Sequence, residues 1–250
     1  MKKSIILIFV FVLLISCKRE AVQLVKIEGK LLPVTEKLPS DSTFVNLIEP
    51  YKEKIDKEMK TVLSYTPKNL DRTDGEMESS LGNLLADLCY EIANPIFQNR
   101  TDKSIDLALF NYGGIRSGIS KGAVTYENAF KLMPFENSLV VVELTHDKLL
   151  ELLDYLIKSN RAHPVSSSLR LKIKKDGFDF TINNQQGNSA KTYFVLTSDY
   201  LQNGGDNMLF FKDPINLYIL DYKMRNAIID YFKQTDTLRP VLDGRIKFEE

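Results

Sequence analysis

No charge of either sign is in excess in this sequence: 33 Lys and Arg balance 33 Asp and Glu, for a formal net charge of zero. That balance removes the electrostatic argument for nucleic acid or an anionic membrane surface as the main partner. Histidine and cysteine are scarce, with two of each, His146, His163, Cys17 and Cys89. Cysteine pairs of the kind that hold zinc are therefore missing, and no Gly-x-Ser-x-Gly elbow, His-Glu-x-x-His helix or P-loop occurs. Low-complexity tracts and internal repeats are also missing. The 12 Gly and 9 Pro among 250 residues are too few for a disordered chain. What is left is an ordinary apolar content and a length suited to one globular domain once the N-terminus is set aside.

The first seventeen residues read as a targeting segment. Lys2 and Lys3 form a positive start, and residues 5–15 form an apolar run too short to span a membrane comfortably. The run closes on Leu14-Ile15-Ser16-Cys17, which resembles the lipobox of bacterial lipoproteins. That resemblance implies cleavage before Cys17 and its acylation. The protein would then be held at the cell envelope, on the periplasmic or surface side, touching membrane through the lipid alone. An ordinary secretory signal with an incidental Cys is the alternative. Residues 18–42, with Pro33 and Pro39 and no sustained periodicity, read as a tether, and residues 43–250 as the folded domain. Lipidation of Cys17 leaves Cys89 without an intramolecular partner. Cys89 lies in an apolar helical stretch, so a buried, inert thiol is expected.

Apolar spacing predicts helices over residues 45–63 and 79–97, the second ending near Pro95. Residues 104–110 are apolar and of strand length, and Asn111-Tyr112-Gly113-Gly114 follows at once. A short helix is expected over 124–132. The β-branched run Ser138–Leu144 reads as a buried strand leading into Thr145, an N-cap, and a helix whose apolar face is Leu149, Leu150, Leu152, Leu153, Leu156 and Ile157. Strands at Leu169–Lys174, 178–182 and 193–197, a helix over 221–233 and a strand over 245–248 complete the pattern. Helices alternate with strands early and strands cluster later, so a mixed α/β domain with helices layered on the sheet is expected. The carboxylates of Glu143, Glu151 and Asp154 read as solvated helix faces, and both histidines as surface residues.

Three segments carry groups suited to ligand chemistry. In Asn111-Tyr112-Gly113-Gly114-Ile115-Arg116 the paired glycines allow close backbone approach, and the Arg can fork onto a phosphate or carboxylate. Gly-Gly after a strand also serves as a plain turn. In Met133-Pro134-Phe135-Glu136-Asn137 the ring behind the proline can offer a stacking face, or can equally plug the core. In residues 198–206 Tyr200 offers a second face, and Asp206 can accept hydrogen bonds from a sugar after the Asn203-Gly204-Gly205 turn. A polar surface turn is the plain alternative.

Taken in order, GNLLADLCYEIA from Gly82, NYGGIRSGISKGAVTYENAFKLMPFENSLVVVELTHDKLLELLD from Asn111 and SDYLQNGGDNMLFF from Ser198 resemble the C-terminal domain of the 5'-nucleotidase family. The likeness extends over roughly residues 74–250. It implies that Arg116 holds a substrate phosphate while Asn111, Gly113 and Gly114 line the same site. Phe135 and Tyr200 would sandwich a base, at about 1–3 kcal/mol per stack. Asn137 would sit at the base edge, and Gly205 and Asp206 at the ribose. Two departures stand out. Arg72 is the one arginine upstream of the Leu-Gly-Asn helix and lies a few residues early, and Ser167-Ser168 stands where the family has Ser-Gly.

Hydrolysis in that family uses a di-metal centre on a separate domain. Two histidines cannot build that centre, so no catalytic residue and no metal ligand is expected in this chain. The resemblance implies instead a recognition domain for a nucleotide or nucleoside, with the divalent metals carried by a separately encoded metallophosphatase subunit. A non-catalytic nucleotide-binding envelope lipoprotein, or an interaction scaffold, are the other readings.

Overall fold

The computed structural model describes residues 26–36 and 38–249, so the targeting segment and Cys17 lie outside the described residues. The chain divides into two compact units, residues 1–48 and 49–250. In the first, the described residues up to Asp41 form neither helix nor strand. The helix α1, Ser42–Met59, begins in the first unit and ends in the second, and none of its residues is buried.

The expected helix over 45–63 stops early. Val62–Thr66 is a strand, β1, in which Val62, Tyr65 and Thr66 suit extended backbone better than helix. β1 pairs antiparallel with β3, Gly122–Thr125, so the helix expected from Val124 begins only at Tyr126. That helix, α3 (Tyr126–Leu132), is opened by Asn128, whose side chain accepts the Thr125 N–H at 2.8 Å.

The second helix, α2 (Ser80–Thr101), runs straight past Pro95, where the sequence predicts its end. Pro95 and Glu91, whose carbonyl loses its partner to the proline ring, are not buried, so water can satisfy that carbonyl. Ala93 and Phe97 remain fully buried on the opposite side. α2 starts with the Ser79 hydroxyl accepting the Gly82 N–H and closes on Asp102 in the left-handed conformation.

The central sheet has the order β2-β8-β4-β9. Its middle strand β4, Ser138–Leu144, is buried at every residue from Leu139 onward, so both of its faces are covered. It pairs antiparallel with β8 (Tyr193–Ser198) and with β9 (Asn216–Lys223). β2 is short, Leu107–Ala108, and runs parallel to β8. The helix α4, His146–Ser159, packs on β4 through Leu149, Leu152, Leu153 and Leu156. α2 packs beside α6, Met224–Gln234, and both meet β9. A second sheet, β10-β5-β6-β7, joins Ile246–Phe248, Leu169–Lys174, Gly177–Ile182 and Gln185–Gln186. The result is a mixed α/β domain with helices layered on the sheets.

Two sequence expectations about polar residues are corrected. Glu143 lies in β4, not on a helix, and is 8% exposed, accepting hydrogen bonds from Thr192 Oγ1 at 2.7 Å and Asn216 Nδ2 at 2.6 Å. His163 is 5% exposed and is not a surface residue. Cys89 is fully buried, and burial raises its thiol pKa well above the usual range. Among the described residues no helix is long and apolar enough to cross a membrane.

Candidate functional site

Three loops converge at the end of the central sheet. The chain leaves β2 and turns at Tyr112–Gly114 as a single 3-10 turn. Gly114 packs tightly there: a Cβ would fall 2.8 Å from Asn111 Oδ1 and would push that side chain away. The second loop joins α3 to β4 and is pinned by buried Met133 and by Met224 N–H donating to the Asn137 carbonyl at 2.9 Å. With Met133 filling the core position, Phe135 is left 42% exposed and does not plug the interior. The third follows β8 through a short helix, α5 (Asp199–Gln202), capped by the Ser198 hydroxyl. Tyr200 on this helix is 46% exposed.

Asp206 is the knot of the site. Its backbone is left-handed, φ 51°, an unusual state for a residue with a side chain. Three hydrogen bonds hold it: Asn111 Nδ2 donates to Oδ2 at 2.7 Å, Tyr200 OH to Oδ1 at 3.0 Å, and Tyr155 OH to its carbonyl at 2.8 Å. The carboxylate acceptor raises the Tyr200 phenol pKa above its ordinary value. Gly205 lies against the Tyr200 ring so closely that a Cβ would sit 2.4 Å from a ring carbon.

Together these loops enclose a cavity of about 300 Å³, at the small end of the range for small-molecule sites. Asn111, Gly113, Gly114, Arg116, Phe135, Asn137, Tyr200 and Asp206 line it. Each of them is a candidate named from the sequence, and Gly205 contributes by supporting the Tyr200 ring. The cavity offers two exposed rings from separate loops, a carboxylate, two amides and a guanidinium. Among the described residues Arg116 is tied only by its backbone N–H to the Leu132 carbonyl at 3.0 Å and by a long contact to the Gly113 carbonyl at 3.4 Å. Its guanidinium is open to an anion.

Arg72 does not line this cavity. Its Nη1 donates to the Ile115 carbonyl at 2.7 Å, and its guanidinium sits 4.5 Å from the centre of the Tyr112 ring, so it braces the loop that carries Arg116. Ser167 and Ser168 line a different cleft with Tyr90 and Arg170. Tyr155, which periodicity and motif reading pass over, and His163, which the sequence suggests is a surface residue, hold the site from behind. Tyr112 N–H donates to His163 Nδ1 at 3.2 Å, and burial pushes the His163 pKa down to about 4.

Among the described residues no three His, Cys, Asp or Glu side chains gather as a metal ion would need. His163 Nδ1 is already occupied by the Tyr112 N–H.

Comparison with known proteins places the chain in a family. The profile of the 5'-nucleotidase C-terminal domain matches residues 58–213, and the chain belongs to that family. Relatives include the trifunctional nucleotide phosphoesterase protein YfkN of Bacillus subtilis, 24% identical over 92% of this chain and 17% of its own length. The cell wall protein Lmo0130 of Listeria monocytogenes is 29% identical over 74% of this chain and 25% of its own. Among solved structures, the 5'-nucleotidase precursor from Thermus thermophilus superposes with a TM-score of 0.67 at 23% identity, over 84% of this chain and 44% of that one. This last likeness establishes the fold. The chain spans less than half the length of each of these relatives.

Proposed function

We propose that the domain recognises a nucleotide, and that hydrolysis of its phosphoester is carried out by a separately encoded metallophosphatase that docks beside it. The base stacks between Phe135 and Tyr200 with Asn137 at its edge. The ribose hydroxyls hydrogen-bond to Asp206, and the phosphate pairs with Arg116 beside Asn111 and the backbone of Gly113 and Gly114. The observation that carries this reading is the lining of the cavity: two exposed aromatic rings, an anchored carboxylate and a guanidinium that has no ion-pair partner among the described residues, on three separate loops. The likeness to a cell wall protein of Listeria supports an envelope location, and Cys17 is the proposed point of lipid attachment.

The test is calorimetric titration of the full chain in detergent with nucleosides and nucleoside monophosphates. Phe135→Ala and Tyr200→Ala are each expected to weaken binding by about 1–3 kcal/mol. A well-folded wild type that binds none of them would sink the reading. For the hydrolytic role, phosphatase activity should be absent from the purified chain and appear when a metallophosphatase co-purified from the native cell is added. If no such partner is recovered, a capture module without a catalyst is the better account. Loss of acylation in Cys17→Ser, read by mass spectrometry of the native protein, tests the anchor.

A further inference from the structure

A second cleft, of about 460 Å³, adjoins the nucleotide cavity. Gly113 and Asp206 line both, while Tyr155, Ser159, Arg161 and His163 belong to the second alone among these neighbours. The two spaces therefore meet at Asp206, where the ribose hydroxyls are placed above, and Gly113 has no side chain to separate them. Any group attached to a ribose hydroxyl would leave the first cavity at this point.

The second cleft is built to take an acceptor. The imidazole of His163 receives the Tyr112 N–H on Nδ1, so its proton must sit on Nε2. Among the described residues Nε2 is buried without a hydrogen bond of good geometry, and the Phe110 backbone is the one internal acceptor that acts on the ring. A buried donor left unpaired is uncommon and calls for an acceptor. Burial keeps the ring neutral near pH 7, so it adds a donor without adding charge.

Charge in the cleft comes from Arg161. It is exposed, and among the described residues no carboxylate lies within 4.0 Å of its guanidinium; the nearest aromatic face is the Tyr112 ring, 6.0 Å away. The one acidic side chain in the wall, Asp206, already accepts hydrogen bonds on both oxygens, from Asn111 and Tyr200. Tyr155 and Ser159 spend their hydroxyl protons on the carbonyls of Asp206 and Leu156, so neither competes as a donor.

We propose that this cleft is a subsite for a phosphate monoester on the ribose of the bound nucleotide, at the 2′ or 3′ position, paired with Arg161 and accepting a hydrogen bond from His163 Nε2. The inference rests on the nucleotide reading given above and extends it to ligands carrying a second anionic group.

The experiment is calorimetric titration of the full chain in detergent, at low salt, with adenosine and uridine 5′-monophosphates and with the matching 2′,5′- and 3′,5′-bisphosphates. One bisphosphate of the better base is expected to bind about tenfold more tightly than its monophosphate, as one charge-assisted guanidinium contact would give. Arg161→Gln is expected to abolish that gain, with 5′-monophosphate binding in the same variant as the internal reference. If the monophosphate binds and neither bisphosphate is tighter, or if the gain survives in Arg161→Gln, the subsite falls and the nucleotide reading stands. If no ligand binds the wild type, both fall together.

Discussion

Gly205 and His163 show how much of this site is decided one side chain at a time. Gly205 has no Cβ, and the Tyr200 ring occupies the space a Cβ would need. Its neighbour Gly204 adopts φ 87°, but Gly205 itself has no such requirement. Gly205→Ala therefore acts by displacing the ring rather than by straining the backbone. We expect it to weaken nucleotide binding at least fivefold while shifting the thermal midpoint by only a few degrees, for a loss of about 1 kcal/mol. A ligand titration beside a thermal melt separates the two effects, and unchanged affinity would show that Tyr200 is not used.

His163 makes a prediction about pH. Its pKa falls from the ordinary 6.5 to about 4 in the folded state, chiefly through burial. The unfolded chain thus binds more protons than the folded one between those two values. Stability contributed by the neutral ring is present above pH 6.5 and is lost as pH falls toward 4, on the order of 2 kcal/mol between pH 7 and pH 5. Urea unfolding of the wild type and of His163→Phe at both pH values checks the sign. The variant should show the smaller drop, and an equal drop in both would assign the effect to other groups.

At the scale of whole elements, β4 is stapled on both edges by one carboxylate. Glu143 receives Thr192 from the approach to β8 and Asn216 from the start of β9. Burial acts to raise its pKa, but the two hydrogen bonds and the charge of Lys103 together outweigh burial and the net shift is downward. A depressed carboxylate adds stability above its unfolded pKa and loses it as pH falls through the folded one. Glu143→Ala is expected to cost about 2–4 kcal/mol at pH 7, and less in acid, by urea midpoint.

The same element shows what sequence could and could not reveal. Ser138–Leu144 was legible to the residue, because an unbroken β-branched run has no other good home. Its partner Asn216–Lys223 was not. Half of its residues are exposed, and it carries a bulge in its pairing with β4 and a left-handed Asp221, so no clean alternation marks it as a strand. β1 was absorbed into the preceding helix for a similar reason, its first apolar residues continuing the spacing of α1. The residues lining the cavity were named through the family resemblance of three ordered loop motifs, since each motif alone left a plain turn or a core plug open. Tyr155, Arg161 and His163 were not, since they reach the site from a helix face and the segment after it, where no local spacing distinguishes them from packing residues.

Across the whole molecule, the match to the family profile stops at residue 213, but the folded unit does not. β9, α6 and β10 all follow that point, and the last is tied in by Arg245, which is 2% exposed. Its guanidinium reaches Asp87 on α2 at 2.9 Å, Asp243 at 3.0 Å and the Val165 carbonyl at 2.6 Å. One residue near the end of the chain thus clamps an early helix, the loop before β5 and the turn that leads into β10. Arg245→Met leaves two carboxylates facing each other without their cation. It is expected to destabilise the whole domain by about 3–5 kcal/mol in a single cooperative transition. A separate early transition in denaturant would instead show that the C-terminal segment peels away alone.

The left-handed Asp206 has a consequence for timing. Asn111, Tyr200 and Tyr155 hold its loop in place before any ligand arrives. A nucleotide has no segment to order on entry, so its arrival should be governed by diffusion and orientation, with a rate nearly independent of which base it carries. Discrimination among ligands would then lie in how long each one stays, and a stopped-flow series should find similar association rates beside dissociation rates spread over orders of magnitude.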